Sequence, residues 1–305
     1  MTTVIIPATS RTNNFVTCTL LSFPRPPSIR LVAHTTEARM HLQEKHKNSP
    51  NVSTVLADLL DPLSLRNAFN GARIVLYNGP VVEHESQMGR NVVDAACAMD
   101  IEKLVYCSVL HPYISRLPHH RSKLEVEEYI FESGLNYTIL QPSHLMQNIA
   151  VKPAMDHGNL PVPFSPLVTH GFLDLTDFAA AAAAILRARP SAHARTRYEL
   201  VGDLASYRDV AQWLSESAHM PIKIDRVEHR TAIQSQVDLK RLRDTYGCDA
   251  LARMISYYEE HGLTGSPNTL RWLLGRDPMS VKRYIAREVR ILIAADATAY
   301  TQVMF

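Results

Sequence analysis

The chain of 305 residues has only 11 glycines, and the first of them is Gly71. That is about half the usual share of roughly 7%. A start without glycine excludes an ordinary glycine-rich phosphate loop in its usual place after the first strand. Cysteine is sparse as well. Cys18, Cys97, Cys107 and Cys248 show no C-x-x-C spacing, a usage expected of a reducing, cytoplasmic setting. Apolar runs stay well short of the roughly 18 residues of a membrane span, so no membrane partner is expected. The opening MTTVIIPATS lacks a basic segment followed by a long apolar one, so no signal peptide is expected. Neither charge dominates: Lys+Arg 32 against Asp+Glu 30 leaves +2, which gives no electrostatic footprint for nucleic acid. What remains, 46% hydrophobic and 20% charged, is the composition of a globular protein large enough to bury a sizeable core.

Short β-branched runs alternate with stretches of helical length. The pattern predicts strands at Thr3–Ile6, Ile29–Ala33, Val52–Leu56, Arg73–Tyr77, Lys103–Cys107 and Asn136–Leu140. Asp61-Pro62 opens a helix as cap and first residue, and Asn70-Gly71 closes it. Further helices are predicted over 87–99 and 122–132, the second stopping at Ser133-Gly134. Alternation of this kind gives an α/β fold, a Rossmann-like doubly wound parallel sheet over residues 1–150. A smaller mixed α/β substrate-side subdomain is expected over 151–305, with 170–190 packing back on the first domain. In it, 157–166 reads as irregular and extended, Phe178–Arg187 as an Ala-rich helix, and Ser206-x-x-Asp209 as the cap of another. Residues 230–290 read as mostly helical.

Ligands of an open parallel sheet bind beyond the carboxyl ends of its strands. The polar residues there include Thr9, Arg11, Thr12, His34, Asp58, Asn78, Ser108, Tyr113, His119, Lys123, His144 and Asn148. His119 and Lys123, four apart, share one helix face if the helix starts early enough, and an imidazole is a serviceable general acid or base. The competing reading makes His119 and His120 exposed loop residues and Lys123 a solvated lysine. The paired histidines have no carboxylate or thiol at ligand spacing, so no metal is expected.

The segments VIIPATSRTNN, ADLLDPLSLRNAFNGARIVLYNGP, GRNVVDAACAMDIEKLVYCSV, HHRSKLEVEEYIFESGLNYTILQPSHLMQNI and DLTDFAAAAAAIL, in this order, resemble the NmrA-like family, a branch of the atypical short-chain dehydrogenases/reductases. The resemblance implies reductases, other small-molecule enzymes, or regulators that bind a dinucleotide without turning it over. It also implies a G-A-T-G-x-x-G loop where this chain has Pro7, Ser10 and Asn13 in the three glycine positions. If a dinucleotide binds, Thr9, Arg11, Thr12, His34, Asp58, Asn78 and Ser108 are its expected contacts. His34 stands where NADP-dependent relatives place an Arg, and Gln141 where an Arg is common. A catalytic Tyr four before Lys123 is replaced by His119, and Tyr113 is the nearest alternative. The expectation is therefore no NADP(H) or weak binding. The leading reading is a redox-neutral isomerase, lyase, dehydratase or cyclase of secondary metabolism, with His119 and Lys123 catalytic. Tyr113, His144 and Asn148 are expected to contact a hydrophobic small molecule. An NAD(P)H-dependent oxidoreductase with a weakened loop and a non-catalytic regulator stay open beside it.

Overall fold

The computed structural model describes residues 2–238 and 244–303, with side chains described as far as residue 295. Along the chain the elements begin β1 (Thr2–Ile6), α1 (Arg11–Leu21), β2 (Ser28–Ala33), α2 (Thr36–Lys45), β3 (Val52–Leu56), α3 (Pro62–Phe69), β4 (Ile74–Asn78), α4 (Glu85–Ala98), β5 (Lys103–Cys107), α5 (Pro118–Glu132) and β6 (Tyr137–Pro142). They continue β7 (His144–Leu145), α6 (Val151–His157), β8 (Asn159–Val162), β9 (Thr169–Leu173), α7 (Leu175–Arg187), β10 (Thr196–Leu200), β11 (Asp203–Ser206), α8 (Tyr207–Ala218), β12 (Lys223–Arg226), α9 (His229–Asp238), α10 (Thr245–His261), α11 (Asn268–Leu274) and α12 (Val281–Val303).

Two compact units divide the chain: residues 1–142 with 175–200, and residues 143–174 with 201–305. The first holds a seven-stranded sheet in the order β10-β6-β5-β4-β1-β2-β3. Every strand pair in it is parallel. The chain winds outward from β1 to β3, then crosses back to β4, so strand order reverses between β1 and β4, the place where such sheets bind ligands. The central strands are buried on both faces and read as continuous apolar runs: Val4, Ile5 and Ile6 in β1, Leu104, Val105 and Tyr106 in β5. Helices begin and end where the caps put them. The Asp61 side chain accepts the Leu63 N–H, and Gly71 and Gly134 take the positive φ that ends α3 and α5 cleanly.

The Ala-rich α7 belongs to this unit and packs on α1. Its small side chains allow close approach, and Ala179, Ala181, Ala182 and Ala183 are fully buried. Lys103 is also fully buried beneath the end of α7, where Nζ donates to Ile185 O at 2.9 Å and Ala188 O at 3.1 Å. Burial pulls its pKa down, while the helix carboxyl end favours its charge.

Helices α4 and α5 pack closely at Gly89, where an added Cβ would fall within 2.8 Å of both methyl carbons of Val126. Gly89→Ala is expected to lower stability by about 1–3 kcal/mol through overpacking, more than the roughly 1 kcal/mol that alanine adds to a helix. Urea unfolding checks this, and Gly89→Ala on a Val126→Ala background should recover most of the loss.

The second unit contains the antiparallel pair β11–β9 extended by parallel β7, and the parallel pair β12–β8. Ser206 and Asp209 form the expected capping box of α8. Residues 159–162, expected to be irregular, form β8 instead. Alternating prolines hide a strand in sequence, yet Pro161 leaves room for parallel pairing with Asp225 of β12. Among the described residues no helix is long and apolar enough to cross a membrane.

Candidate functional site

The loop between β1 and α1 closes on itself without glycine. Ser10 caps α1, its Oγ accepting the Asn13 N–H at 3.1 Å. Asn13 is fully buried and turns its side chain inward, Nδ2 donating to Pro7 O at 2.9 Å and to Ile6 O at 3.3 Å. Among the described residues, the non-glycine positions with positive φ are Asp100, His111, Arg195 and His219, so none lies in Pro7–Asn13. The loop therefore takes none of the left-handed backbone that favours glycine. Where the fingerprint uses a third glycine to bring helix against strand, this chain uses an amide that ties the two together. Thr9 and Arg11 are exposed and Thr12 is half-buried at the helix start.

Around this loop, His34 is exposed at the end of β2, beside Thr35, which caps α2. Asp58 is exposed and turns back on its own loop, Oδ1 accepting the Leu60 N–H at 2.9 Å. Asn78, half-buried at the end of β4, donates through Nδ2 to Ser10 Oγ at 3.4 Å and bridges the two sides of the switch point.

Beyond the end of β4 lies a buried cluster that sequence reasoning missed. Lys123 of α5 is buried, not solvated: Nζ stands 2.5 Å from Glu85 Oε1 and donates to Gly79 O at 2.9 Å. It also lies 5.6 Å from the ring centre of Tyr106. Glu85, in the first turn of α4, is fully buried. Burial pushes its carboxyl pKa up, and the Lys123 charge pulls it partly back. The stacked rings of Tyr77 and Tyr106 floor the cluster at 5.5 Å, their phenols driven well above their ordinary range, chiefly by burial. Gly79 has no space to spare, since a Cβ there would fall 2.8 Å from Tyr77 Oη, 3.0 Å from Glu85 Oε1 and 3.2 Å from Lys123 Nζ. A lone glutamate eight residues after a strand-end tyrosine carries no sequence signal of burial; only the crossing of α4 and α5 reveals it.

Helix α5 begins at Pro118, four residues earlier than expected, and this decides the fate of the paired histidines. His119 and His120 are buried, not loop residues at the surface, their rings edge to face at 4.5 Å. His120 Nδ1 bonds the carbonyl of His111 at 2.9 Å. A carbonyl only accepts, so Nδ1 carries the proton, and burial lowers the ring's pKa to about 4. Further along α5, Glu127 is buried and accepts from Gln141 Nε2 at 2.8 Å. Ser108 is buried at the end of β5. Burial lifts the Cys107 thiol to about 11 and leaves it inert. Tyr113 is exposed, and its hydroxyl lies 2.9 Å from His111 Nδ1.

In the second unit, His144 is half-buried and Asn148 exposed. His144 belongs to an aromatic cluster with Phe164, His170, Phe172, Tyr207 and Tyr258, including ring centres 5.2 Å from His170 and 4.7 Å from Tyr258. His170 is fully buried in this cluster, neither ring nitrogen has a hydrogen-bond partner among the described residues, and burial lowers its pKa to about 4.

A dinucleotide asks a loop of this kind for a helix amino terminus aimed at the phosphates and for unblocked approach to it. The first turn of α1 meets the first demand. The inward Asn13 keeps its side chain in the helix–strand contact, while Ser10 stands at the terminus, its Oγ on the Asn13 N–H and 3.4 Å from Asn78 Nδ2. The residues fit the group, with two donors fewer than a glycine loop: Pro7 has no N–H, and Ser10 takes that of Asn13. No group of three or more His, Cys, Asp or Glu suited to a metal occurs among the described residues.

The sequence matches the NmrA-like family over residues 2–292. It is 31% identical over 155 residues to quinone oxidoreductase 2 of Escherichia coli, which is 49% of this chain and 52% of that protein, so the chain spans about half the length of that relative. It is 24% identical over 265 residues to an NAD(P)H azoreductase of Xenophilus azovorans, 84% of this chain and 87% of the relative. The fold is similar to that of the NADPH-dependent quinone oxidoreductase of E. coli complexed with NADPH, with a TM-score of 0.79 and 22% identity over 96% of this chain and 100% of that one.

Proposed function

Because the chain belongs to the NmrA-like family, and because its β1–α1 loop keeps a helix amino terminus at the switch point of the sheet, we propose that it is an NAD(P)H-dependent oxidoreductase acting on a conjugated acceptor such as a quinone or azo compound. The carrying observation is the inward-turned Asn13, which closes the loop where a glycine would. The redox-neutral reading rested on the missing glycines together with His34 in place of an Arg and His119 in place of a Tyr. No residue from Pro7 to Asn13 takes a positive φ, and the named relatives, a quinone oxidoreductase and an azoreductase, support the oxidoreductase reading over it.

In this reading the α1 terminus with Thr9, Arg11 and Thr12 holds the pyrophosphate, His34 and Asp58 border the adenosine, and Asn78 and Ser108 line the reactive end. When bound, the reduced nicotinamide supplies a hydride. The chain's own residues bind it, orient it and deliver a proton to the acceptor. Lys123, pinned between Glu85 and Gly79 O, serves here as a fixed positive charge beneath the site and not as a mobile proton carrier. His119 shares its helix turn and stays a candidate acid–base group.

Calorimetric titration with NADPH and, separately, NADH tests the reading. Binding in the micromolar range is expected, and Ser10→Gly should tighten it by returning the Asn13 N–H to the phosphates. Absence of heat at millimolar cofactor would return the redox-neutral reaction to first place. Tight binding with no oxidation by p-benzoquinone would favour a dinucleotide-binding regulator.

A further inference from the structure

A reductase of this class needs a proton for the acceptor, and the tyrosine usually placed four residues before Lys123 is absent. Resting on the oxidoreductase reading above, we propose that Tyr113 is the proton donor, recharged through His111 and held in that role by Glu199. His111 Nδ1 stands 2.9 Å from Tyr113 Oη and 3.4 Å from Glu199 Oε1. The rings of His111 and Tyr113 lie 5.4 Å apart, tilted. Three elements converge on this point: the loop after β5, the strand β10, and the start of α5, whose His120 bonds the His111 carbonyl.

The backbone supports a functional reading of the contact. His111 has φ +55°, a left-handed conformation that is strained for a non-glycine residue and persists only where its surroundings impose it. Buried His120 imposes it, through the 2.9 Å bond to the His111 carbonyl. The turn aims the imidazole at both the phenol and the carboxylate. Tyr113 is 65% exposed, so its hydroxyl is reachable by a ligand at the carboxyl edge of the sheet, which the deeply buried phenols of Tyr77 and Tyr106 are not.

When bound, the dinucleotide would supply the hydride that the acceptor takes up; the Tyr113 O–H bond breaks and its proton passes to the acceptor oxygen or nitrogen. The phenolate then takes the Nδ1 proton of charged His111, and the ring regains a proton from water. Glu199 offsets the charge of the imidazolium. One proton from solvent and one hydride from the dinucleotide end on the acceptor. Tyr113 touches the acceptor and is the catalytic residue; His111 and Glu199 act through it as positioning and recharging residues.

Two measurements separate this proposal from the reading it rests on. Ultraviolet titration of tyrosinate, wild type minus Tyr113→Phe, isolates the Tyr113 transition without any turnover. His111→Gln should displace that transition, and an unmoved one overturns the relay. With NADPH and p-benzoquinone, Tyr113→Phe should lower kcat by roughly 10²-fold with KM nearly unchanged, and His111→Gln should change the shape of the pH–rate profile. Full kcat in Tyr113→Phe overturns the proposal, and because Tyr113 is exposed, loss of folding does not confuse the result. A wild-type protein that turns over no quinone removes the oxidoreductase reading, and the relay then stands or falls on the tyrosinate titration.

Discussion

Glu85→Ala is expected to cost about 3–5 kcal/mol, because it strands the Lys123 ammonium in the buried site with its counter-charge gone. In a unit of this size that is a fall of roughly 10 °C in Tm. The two side chains are 0% and 6% exposed at the pair, so water cannot take the place of the carboxylate. The opposite truncation, Lys123→Met, should cost less. Burial already raises the Glu85 pKa, so the carboxyl left behind can take up a proton and remain neutral. The double variant Glu85→Gln with Lys123→Met should recover much of the loss, since a buried ion pair replaced by neutral groups of similar volume is often close to neutral in stability. Chemical unfolding of Glu85→Gln, Lys123→Met and the double variant closes the cycle. Additive losses would mean that the pair is not coupled, and that Lys123 is held by Gly79 O and the Tyr106 ring alone.

Acid should destabilise the protein well before its surface carboxylates are neutralised. His120 and His170 are both fully buried, and each has its pKa lowered to about 4, chiefly by burial. In the unfolded chain they titrate near the ordinary value of about 6.5. As pH falls below that value the unfolded state takes up protons that the folded state refuses, so stability is full above about pH 6.5 and declines until about pH 4. Each histidine contributes roughly 2–3 kcal/mol over this window. Around His170 the facing titratable groups are His144, Tyr207 and Tyr258, none an anion in this range that could hold an imidazolium. His170→Phe, which keeps a ring in the aromatic cluster, should raise stability at pH 5 more than at pH 7.5. Equal effects at the two pH values would show that His170 does not titrate on unfolding. His120→Phe should behave likewise in its pH dependence but with a net loss, because it also abandons the His111 carbonyl.

Much of the fold was legible in the residues themselves. Strand periodicity, Asp61-Pro62 and the glycines at 71 and 134 are local signals, fixed by backbone sterics within a few residues, and the expected strands of the first unit fall within a residue or two of those observed. The resemblance to the NmrA-like family was also legible, because it rests on the order of motifs. The strands of the second unit were mostly missed. Their runs are short, β7 is only two residues long, and β8 is masked by prolines, so pairing and not propensity makes them strands.

The missing glycines show where sequence reasoning reached its limit. Sequence established that Pro7, Ser10 and Asn13 occupy the loop, and the role of each glycine predicted a damaged site. What the substitution does depends on which way the side chains turn, and Asn13 turns inward to bond the carbonyls of Ile6 and Pro7. The same division holds for the chemistry. His119, Lys123 and Tyr113 were visible as residue types at suggestive spacings. That Lys123 is neutralised by Glu85, and that Tyr113 meets a histidine backed by a glutamate of β10, was settled only by tertiary structure. Local sequence dictates helices, turns and strands because their forces act over a few residues. Burial, charge pairing and proton relays join groups that lie far apart along the chain, and only the folded packing brings them within bonding distance.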